Sequence, residues 1–142
     1  MAQFKSYDDI GVSTEGHVAT IEIQRPPLNF FDYSLIQQIA DAMETIDEDK
    51  NLRCVVLCAQ GKSFCAGANF GSDGSSANRS QENNPTDKSS HLYVEAVRLF
   101  ATKTPIVGAI QGAAIGGGLG LSLVPDFRVA CPESRFAANF TR

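Results

Sequence analysis

Residues 110–120 read IQGAAIGGGLG, a run of small residues that follows a short apolar, strand-like stretch. A second run, SFCAGAN at residues 63–69, also places small residues after a strand-like stretch. Glycine has no Cβ, so the backbone can approach a bound group more closely there than elsewhere. The two runs together predict a pocket whose walls are main chain and whose N–H groups can hold an oxyanion.

A helix that begins near Gly117 strengthens this interpretation. The first N–H groups of a helix have no partner inside it, and the helix dipole adds partial positive charge at the same end. A second free N–H, from Ala68, could converge on the same point. Two donors directed at one carbonyl oxygen form an oxyanion hole.

The glycine run at 110–120 has competing interpretations. Its glycines could serve only to pack a helix tightly on a sheet. No charged residue lies between Lys103 and Asp126, and a glycine at every fourth position is typical of packed membrane helices. Three consecutive glycines and the lack of basic or aromatic flanks argue against a membrane span. The dinucleotide fingerprint and the phosphate loop are absent, because Leu121 and Gly118 stand where they need glycine and lysine.

Length, composition and net charge limit the classes of protein to which this chain can belong. A chain of 142 residues with 43% apolar residues and a net charge of −4 fits one domain with a normal core. The acidic balance argues against a nucleic-acid partner, and no basic, apolar leader opens the chain, so we expect a cytoplasmic protein. The four cysteines form no C-x-x-C pair, so we expect no metal site. Cys54, Cys58 and Cys131 are expected to be small core residues of a reduced protein.

The first half of the chain predicts a hairpin, a helix and a strand. Short β-prone runs at 10–12 and 17–23 flank a turn at Gly16. A helix follows, with Asp32 or Ser34 as its N-cap. Its apolar face comprises Leu35, Ile36, Ile39, Met43 and Ile46. The nearly all-apolar run at 52–58 predicts a parallel strand buried on both faces.

The second half alternates between helix and strand. Residues 71–90 are polar and predict a mobile loop. A helix is predicted over 92–102, with Leu92, Ala96, Leu99 and Phe100 as its apolar set. A strand over 106–110, a helix over 117–124 and a strand over 127–130 follow. This alternation predicts an α/β fold with right-handed crossovers and a mostly parallel sheet.

Four stretches, in this order along the chain, carry a family resemblance: ATIEIQRPPLN at 19–29, FCAGAN at 64–69, IQGAAIGGGLG at 110–120 and DFRVA at 126–130. The chain thereby resembles the crotonase superfamily, also called the enoyl-CoA hydratase/isomerase family. The resemblance implies a crotonase-like core over residues 1–142, built as a spiral of ββα units, with the C-terminal helical part of the family missing. It also implies a homo-trimer or hexamer and an acyl-CoA thioester ligand. Coenzyme A is then part of the substrate, and no separate cofactor or metal is expected.

Site residues follow from the resemblance by position. Ala68 and Gly117 would supply the two oxyanion-hole N–H groups. The substrate path would be lined by Leu28, Phe30, Ala66, Asn69, Phe70 and Gly116.

The chain departs from the family's hydratase pattern at two positions. Hydratases of the family use two glutamates, and this chain has Gly120 and Phe140 in their places. Neither side chain can transfer a proton, so hydration by paired carboxylates is not supported. Of the other candidates, Asp126 is expected to make a structural contact, and Cys65 has no evident cationic neighbour except Lys62 to activate it as a nucleophile.

Two functions remain open. The first is enolate-stabilising catalysis on an acyl-CoA thioester by a lyase or isomerase of fatty acid metabolism. The alternative is a non-catalytic acyl-CoA-binding or interaction protein that keeps the pocket without the acid and base.

Overall fold

The computed structural model describes residues 2–68 and 88–139. Its elements are β1 (Ile10–Glu15), β2 (Val18–Ile23), α1 (Tyr33–Glu48), β3 (Cys54–Ala59), α2 (Lys88–Phe100), β4 (Ile106–Ile110), β5 (Ala113–Ile115), α3 (Gly117–Leu123), β6 (Phe127–Ala130) and β7 (Arg135–Ala137). The predicted α/β class is confirmed.

Five strands form the main sheet in the order β1-β2-β3-β4-β6. The β1–β2 pair is the predicted antiparallel hairpin, with Gly16 in the left-handed region at φ +58°. All other pairs in this sheet are parallel, which confirms the mostly parallel arrangement. A second, two-stranded sheet pairs β5 with β7. Neither β5 nor β7 was predicted, because a strand of three residues carries too little pattern to recognise.

Helix α1 covers one face of the main sheet. Its N-cap is Asp32, whose carboxylate accepts a hydrogen bond of 2.9 Å from the Leu35 N–H. All five residues of the predicted apolar face are buried, together with Ala40 and Ala42. The helix and its N-cap are therefore confirmed.

Strand β3 differs from its prediction on one face. Val55 and Leu57 are fully buried in the core beneath α1. Cys54, Val56 and Cys58 point to the opposite face, where they are only half-buried. Burial on both faces was wrong, because within the described residues helix α1 packs on one side of the sheet only.

Helix α2 begins at Lys88, three residues inside the range 71–90 that was predicted to be a loop; residues 71–87 lie outside the described residues. Leu99 is buried, and Leu92 and Ala96 pack against the core as predicted. Phe100, predicted to share that face, is 65% exposed. Glu95 is buried instead, held on the α1 side of the helix by Arg98.

Arg98 joins α2 to α1 by charge. Its guanidinium donates to Asp41 at 2.7 Å and to both carboxylate oxygens of Glu44 at 2.8 and 2.7 Å. It also pairs with Glu95 on its own helix, and Lys5 adds a second cation beside Asp41. Helix α2 is thus docked by an ionic cluster as well as by its apolar face.

This cluster predicts an acid-sensitive contribution to stability. Partial burial raises the pKa of Asp41, but hydrogen bonds from Lys5 and Arg98 outweigh it and hold that pKa below 3.8. The Arg98 hydrogen bond likewise holds the pKa of Glu44 below 4.5. A carboxylate whose pKa is lower in the folded state than in the unfolded state stabilises the fold at pH values above its unfolded pKa. This contribution is lost as the pH falls through its folded pKa. The difference in free energy of unfolding between wild type and Arg98→Met should therefore be constant above about pH 5 and shrink below about pH 4.

Urea unfolding from pH 3 to pH 7 measures this difference. Lys103→Met is the control, since it removes one positive charge from an exposed residue outside the cluster. If the free energies of unfolding of wild type and Arg98→Met differ by the same amount at every pH, the ionic cluster is not the source of the acid-sensitive stability.

Candidate functional site

Three main-chain segments meet at the end of β2. They are the loop at residues 25–31, a segment at residues 63–68 that we call the strap, and the glycine run at residues 111–118. Hydrogen bonds between backbone atoms join the strap to the other two segments. The region that contains the two small-residue runs is therefore held together by main-chain hydrogen bonds.

One side of the strap is bonded to the glycine run. The Phe64 N–H donates to Gln111 O at 2.8 Å, and the Cys65 N–H donates to Ala113 O at 2.9 Å. The Ile115 N–H donates in turn to Cys65 O at 3.0 Å. Cys65 thereby extends the small sheet of β5 and β7 by one bridge.

The other side of the strap is bonded to the 25–31 loop. The Ala66 N–H donates to Leu28 O at 2.9 Å, and the Phe31 N–H donates to Gly67 O at 2.9 Å. The second bond bears directly on Ala68, because the Gly67 carbonyl and the Ala68 N–H belong to one planar peptide unit. In a trans peptide these two groups point in opposite directions, so the Phe31 bond directs the Ala68 N–H away from the Phe31 amide.

Phe31 also touches the start of α3. A Cβ built on Gly117 would lie 2.8 Å from the Phe31 ring, so the ring rests against the Gly117 backbone. Since the Phe31 amide binds Gly67, this one residue contacts both the strap and the first residue of α3. The Gly67–Ala68 peptide and Gly117 therefore both lie next to the same phenylalanine.

Gly117 occupies the first position of α3, where an N–H has no acceptor within its own helix. The neighbouring groups are engaged: the Gly116 N–H donates to Ala137 O at 2.9 Å, and the Gly120 N–H donates to Gly116 O at 3.1 Å. Strand β7, which supplies Ala137, therefore helps to hold the turn that presents Gly117.

The packing interpretation of the glycines holds at Gly118. A Cβ on Gly118 would lie 2.0 Å from the Cys65 carbonyl oxygen, a distance that no real Cβ tolerates. A Cβ on Gly120, two residues later in the same helix, would meet no atom of the described residues within 4 Å. Close packing therefore requires glycine at position 118 but not at position 120 of this run.

The predicted substrate-lining residues occupy the same region where they are described. Leu28 is 40% exposed, while Phe30, Ala66 and Gly116 are half-buried. The Ala66 N–H already donates to the Leu28 carbonyl, so this N–H is not free for a ligand. Asn69, Phe70 and Phe140 lie outside the described residues.

Sequence reasoning missed the side chain that organises the 25–31 loop. Asn29 is fully buried with φ +48°, and its carboxamide bonds to Arg25, Gln60 and Ser63. An asparagine in a loop after two prolines was the available signal, since Asn tolerates the left-handed region and bonds to nearby backbone.

Arg25 lies between two carboxylates at the base of the same loop. Its guanidinium contacts Asp32 at 2.7 Å and Asp9 at 3.3 Å, and it donates to Phe30 O at 2.9 Å. Burial would lower the pKa of Arg25, but its bond to Asp32 and the charge of Asp9 reverse that effect. The cation is therefore held in place to brace the loop.

The prediction that Cys54, Cys58 and Cys131 are core residues is wrong. Cys54, Cys58 and Cys131 are half-buried rather than in the core, because the first two face away from α1 and the third follows β6. Cys65 is the fully buried cysteine, and burial raises its pKa to about 11. A protonated thiol of this kind is a poor nucleophile. All four thiols are free.

Asp126 makes the structural contact predicted for it. Its carboxylate accepts from the Ile106 N–H at 2.8 Å, and its own N–H donates to Ile106 O at 3.0 Å. It thereby pins the start of β4 beside β6. In the part of the chain that is described, no helix has the length and apolar character to cross a membrane.

A matched pair of substitutions tests the close approach at Gly118. Gly120→Ala should stabilise the protein by up to about 1 kcal/mol, because alanine favours a helix over glycine. Gly118→Ala gains the same propensity but must displace the Cys65 carbonyl, so we expect a net loss of about 1–3 kcal/mol. Thermal unfolding of both variants measures the difference, and equal stability would show that the strap and α3 are not in contact.

Alkylation tests the cysteine assignments. The hydrogen bond from Ser134 lowers the pKa of Cys131, whereas burial raises those of Cys58 and Cys65. Iodoacetamide at pH 8 should therefore modify Cys131 first and Cys65 only after unfolding, since the thiolate is the reacting form. Mass spectrometry of peptides reports the order, with protein in guanidinium as the control. Native-state modification of Cys65 as fast as that of Cys131 would restore it as a candidate nucleophile.

Comparison with known proteins agrees with this architecture. The enoyl-CoA hydratase/isomerase family model matches residues 13–142. A probable enoyl-CoA hydratase of Mycobacterium tuberculosis is 31% identical over 137 residues, which are 96% of this chain and 52% of that protein. A probable enoyl-CoA hydratase of Mycobacterium bovis is 35% identical over 128 residues, covering 89% of this chain and 49% of that protein.

A solved structure shows the same fold. The crystal structure of an enoyl-CoA hydratase subunit from Geobacillus kaustophilus superposes with a TM-score of 0.79 at 28% identity, over 93% of this chain and 49% of that one. The chain thus spans about half the length of the relatives that it matches. The sequence match over nearly all of its residues and the shared α/β fold place this chain in the enoyl-CoA hydratase/isomerase family, the crotonase superfamily.

Proposed function

We propose that this chain binds an acyl-CoA thioester and polarises its carbonyl with the N–H groups of Ala68 and Gly117. The observation that carries the proposal is the double contact of Phe31, whose amide binds Gly67 and whose ring rests on Gly117. Family membership supplies the ligand class, since the relatives are described as enoyl-CoA hydratases.

The chemistry that such a pocket favours is formation of a thioester enolate. Removal of a proton next to the carbonyl moves negative charge onto the carbonyl oxygen. Backbone donors that are already in place stabilise this charge without reorganising, and loss of one donor costs about 3 kcal/mol of transition-state stabilisation. We therefore propose a lyase or isomerase reaction that proceeds through this enolate.

Paired-carboxylate hydration is not part of the proposal. Gly120 has no side chain and Phe140 cannot exchange a proton. Near the site, the carboxylates of Asp9 and Asp32 are committed to Arg25.

The proposed path for coenzyme A runs along the 25–31 loop and the strap. Leu28 and Phe30 offer apolar surface on one side, and Ala66 leaves room on the other. Asn69, Phe70 and Gly116 complete this lining in the proposal. A homo-trimer or hexamer acting in the cytoplasm, with no cofactor beyond the coenzyme of the substrate, also belongs to the proposal.

Two substitutions of Gly117 test whether its N–H contributes to the proposed oxyanion hole. Gly117→Ala keeps the N–H but adds a Cβ against Phe31, whereas Gly117→Pro adds the Cβ and removes the N–H. Wild type should bind acetyl-CoA more tightly than its thioether analogue, S-ethyl-CoA, which lacks the carbonyl. Gly117→Ala therefore controls for the added Cβ, and we expect the preference of Gly117→Pro to be about fivefold smaller than that of Gly117→Ala, the contribution of one neutral hydrogen bond.

Calorimetric titration measures both affinities for each variant. A folded Gly117→Pro protein with the wild-type preference would remove Gly117 from the proposal. Exchange of the acetyl-CoA methyl protons with D₂O then distinguishes enzyme from binding protein, since enolate formation with a base leads to exchange. Tight binding without exchange would favour the non-catalytic alternative.

A further inference from the structure

We propose that Asn29 is the positioning residue of the oxyanion hole: it ties the 25–31 loop to the strap and so orients the Ala68 N–H. This inference rests on the proposed function and adds to it a residue that touches neither ligand nor reacting atoms.

The backbone of Asn29 is the first support. Its φ of +48° lies in the left-handed region, which it shares with only one other non-glycine among the described residues, Asn139 at φ +37°. Asn29 is fully buried, whereas Asn139 is exposed. An unusual backbone angle at a buried polar residue persists where the surrounding contacts enforce it.

The side chain of Asn29 uses its full donor capacity. Its Nδ2 donates to Gln60 O at 2.8 Å and to Ser63 O at 2.7 Å, while its Oδ1 accepts from the Arg25 N–H at 2.9 Å. Its own N–H donates to Arg25 O at 2.9 Å. One carboxamide thus closes the loop on itself and fastens it to both ends of the turn at 60–63 that leads into the strap.

The bonds to the strap come from neighbouring residues of the loop. Leu28 binds Ala66, Asn29 binds Ser63, and Phe31 binds Gly67. The last of these bonds sets the peptide plane that carries the Ala68 N–H. If Asn29 no longer holds Ser63 and Arg25, the Phe31 amide and the Gly67 carbonyl lose their fixed alignment, and the proposed donor can turn away from the ligand.

Most other residues cannot supply this combination. Glycine tolerates the backbone angle but makes no side-chain bonds. Aspartate keeps the shape and the acceptor, but it offers no N–H to the two carbonyls. The requirement for two donors, one acceptor and a left-handed backbone selects asparagine.

Asn29→Gly is the test variant, because glycine removes the three side-chain bonds without straining the backbone. Asn139→Gly is the matched control, since it makes the same change at the other left-handed asparagine. The first measurement is hydrogen exchange of the Phe31 and Ala66 amides. The second is the ¹³C chemical shift of the carbonyl of [1-¹³C]acetyl-CoA at saturation, which moves downfield when the carbonyl is polarised.

We expect faster exchange at Phe31 and Ala66 in Asn29→Gly, with unchanged exchange in β3. The downfield shift of the acetyl-CoA carbonyl signal on binding should be about half that in wild type, because one of the two proposed donors is lost. Asn139→Gly should retain both wild-type values. A role of Asn29 in stability alone would not move the carbonyl signal of bound ligand.

The outcomes separate this inference from the proposed function. If the carbonyl signal of bound acetyl-CoA shifts as far downfield in Asn29→Gly as in wild type, Asn29 does not position the hole, and the proposed hole itself still stands. Bound acetyl-CoA without any displacement in wild type refutes the hole itself, and the positioning role with it. If Asn29→Gly does not fold, Asn29→Asp is measured against the same criteria, because it keeps the bond to the Arg25 N–H and loses both donors.

Discussion

The peptide unit between Gly67 and Ala68 is planar, and its carbonyl is bonded to the Phe31 N–H. The direction of the Ala68 N–H is therefore decided by the loop after β2 and not by any side chain of the strap. The strap is bonded on one side to that loop and on the other to β5, so it has little freedom to rotate.

The loop itself depends on buried polar groups. Removing ions from water is costly, and a buried pair offsets that cost only when further hydrogen bonds complete it. Asp32 meets this condition, because it binds Arg25 with one oxygen and caps α1 through the Leu35 N–H with the other. The N-cap of α1 and the brace of the loop are thus the same carboxylate, which couples the core helix to the site.

In the proposed function, carbonyl polarisation is separate from proton transfer. Polarisation in the proposal needs only main-chain groups, and these are held by the local hydrogen-bond network. Proton transfer needs a titratable side chain, and a Cβ on Gly120 would have no described atom within 4 Å. Members of one fold can in this way share a carbonyl-binding site and differ in their reaction.

The sequence by itself determined the elements with local signals: the hairpin at Gly16, the capped helix α1 with its apolar face, strand β4 and helix α3. Its glycine runs also indicated a main-chain pocket. Only the tertiary structure decided which glycines serve close packing, that Cys65 is buried, and that Asn29 and β7 bond to the backbone before the strap and before α3. The physical reason is that these properties depend on backbone groups from distant segments, which meet only when the chain is folded and leave no periodic pattern along it.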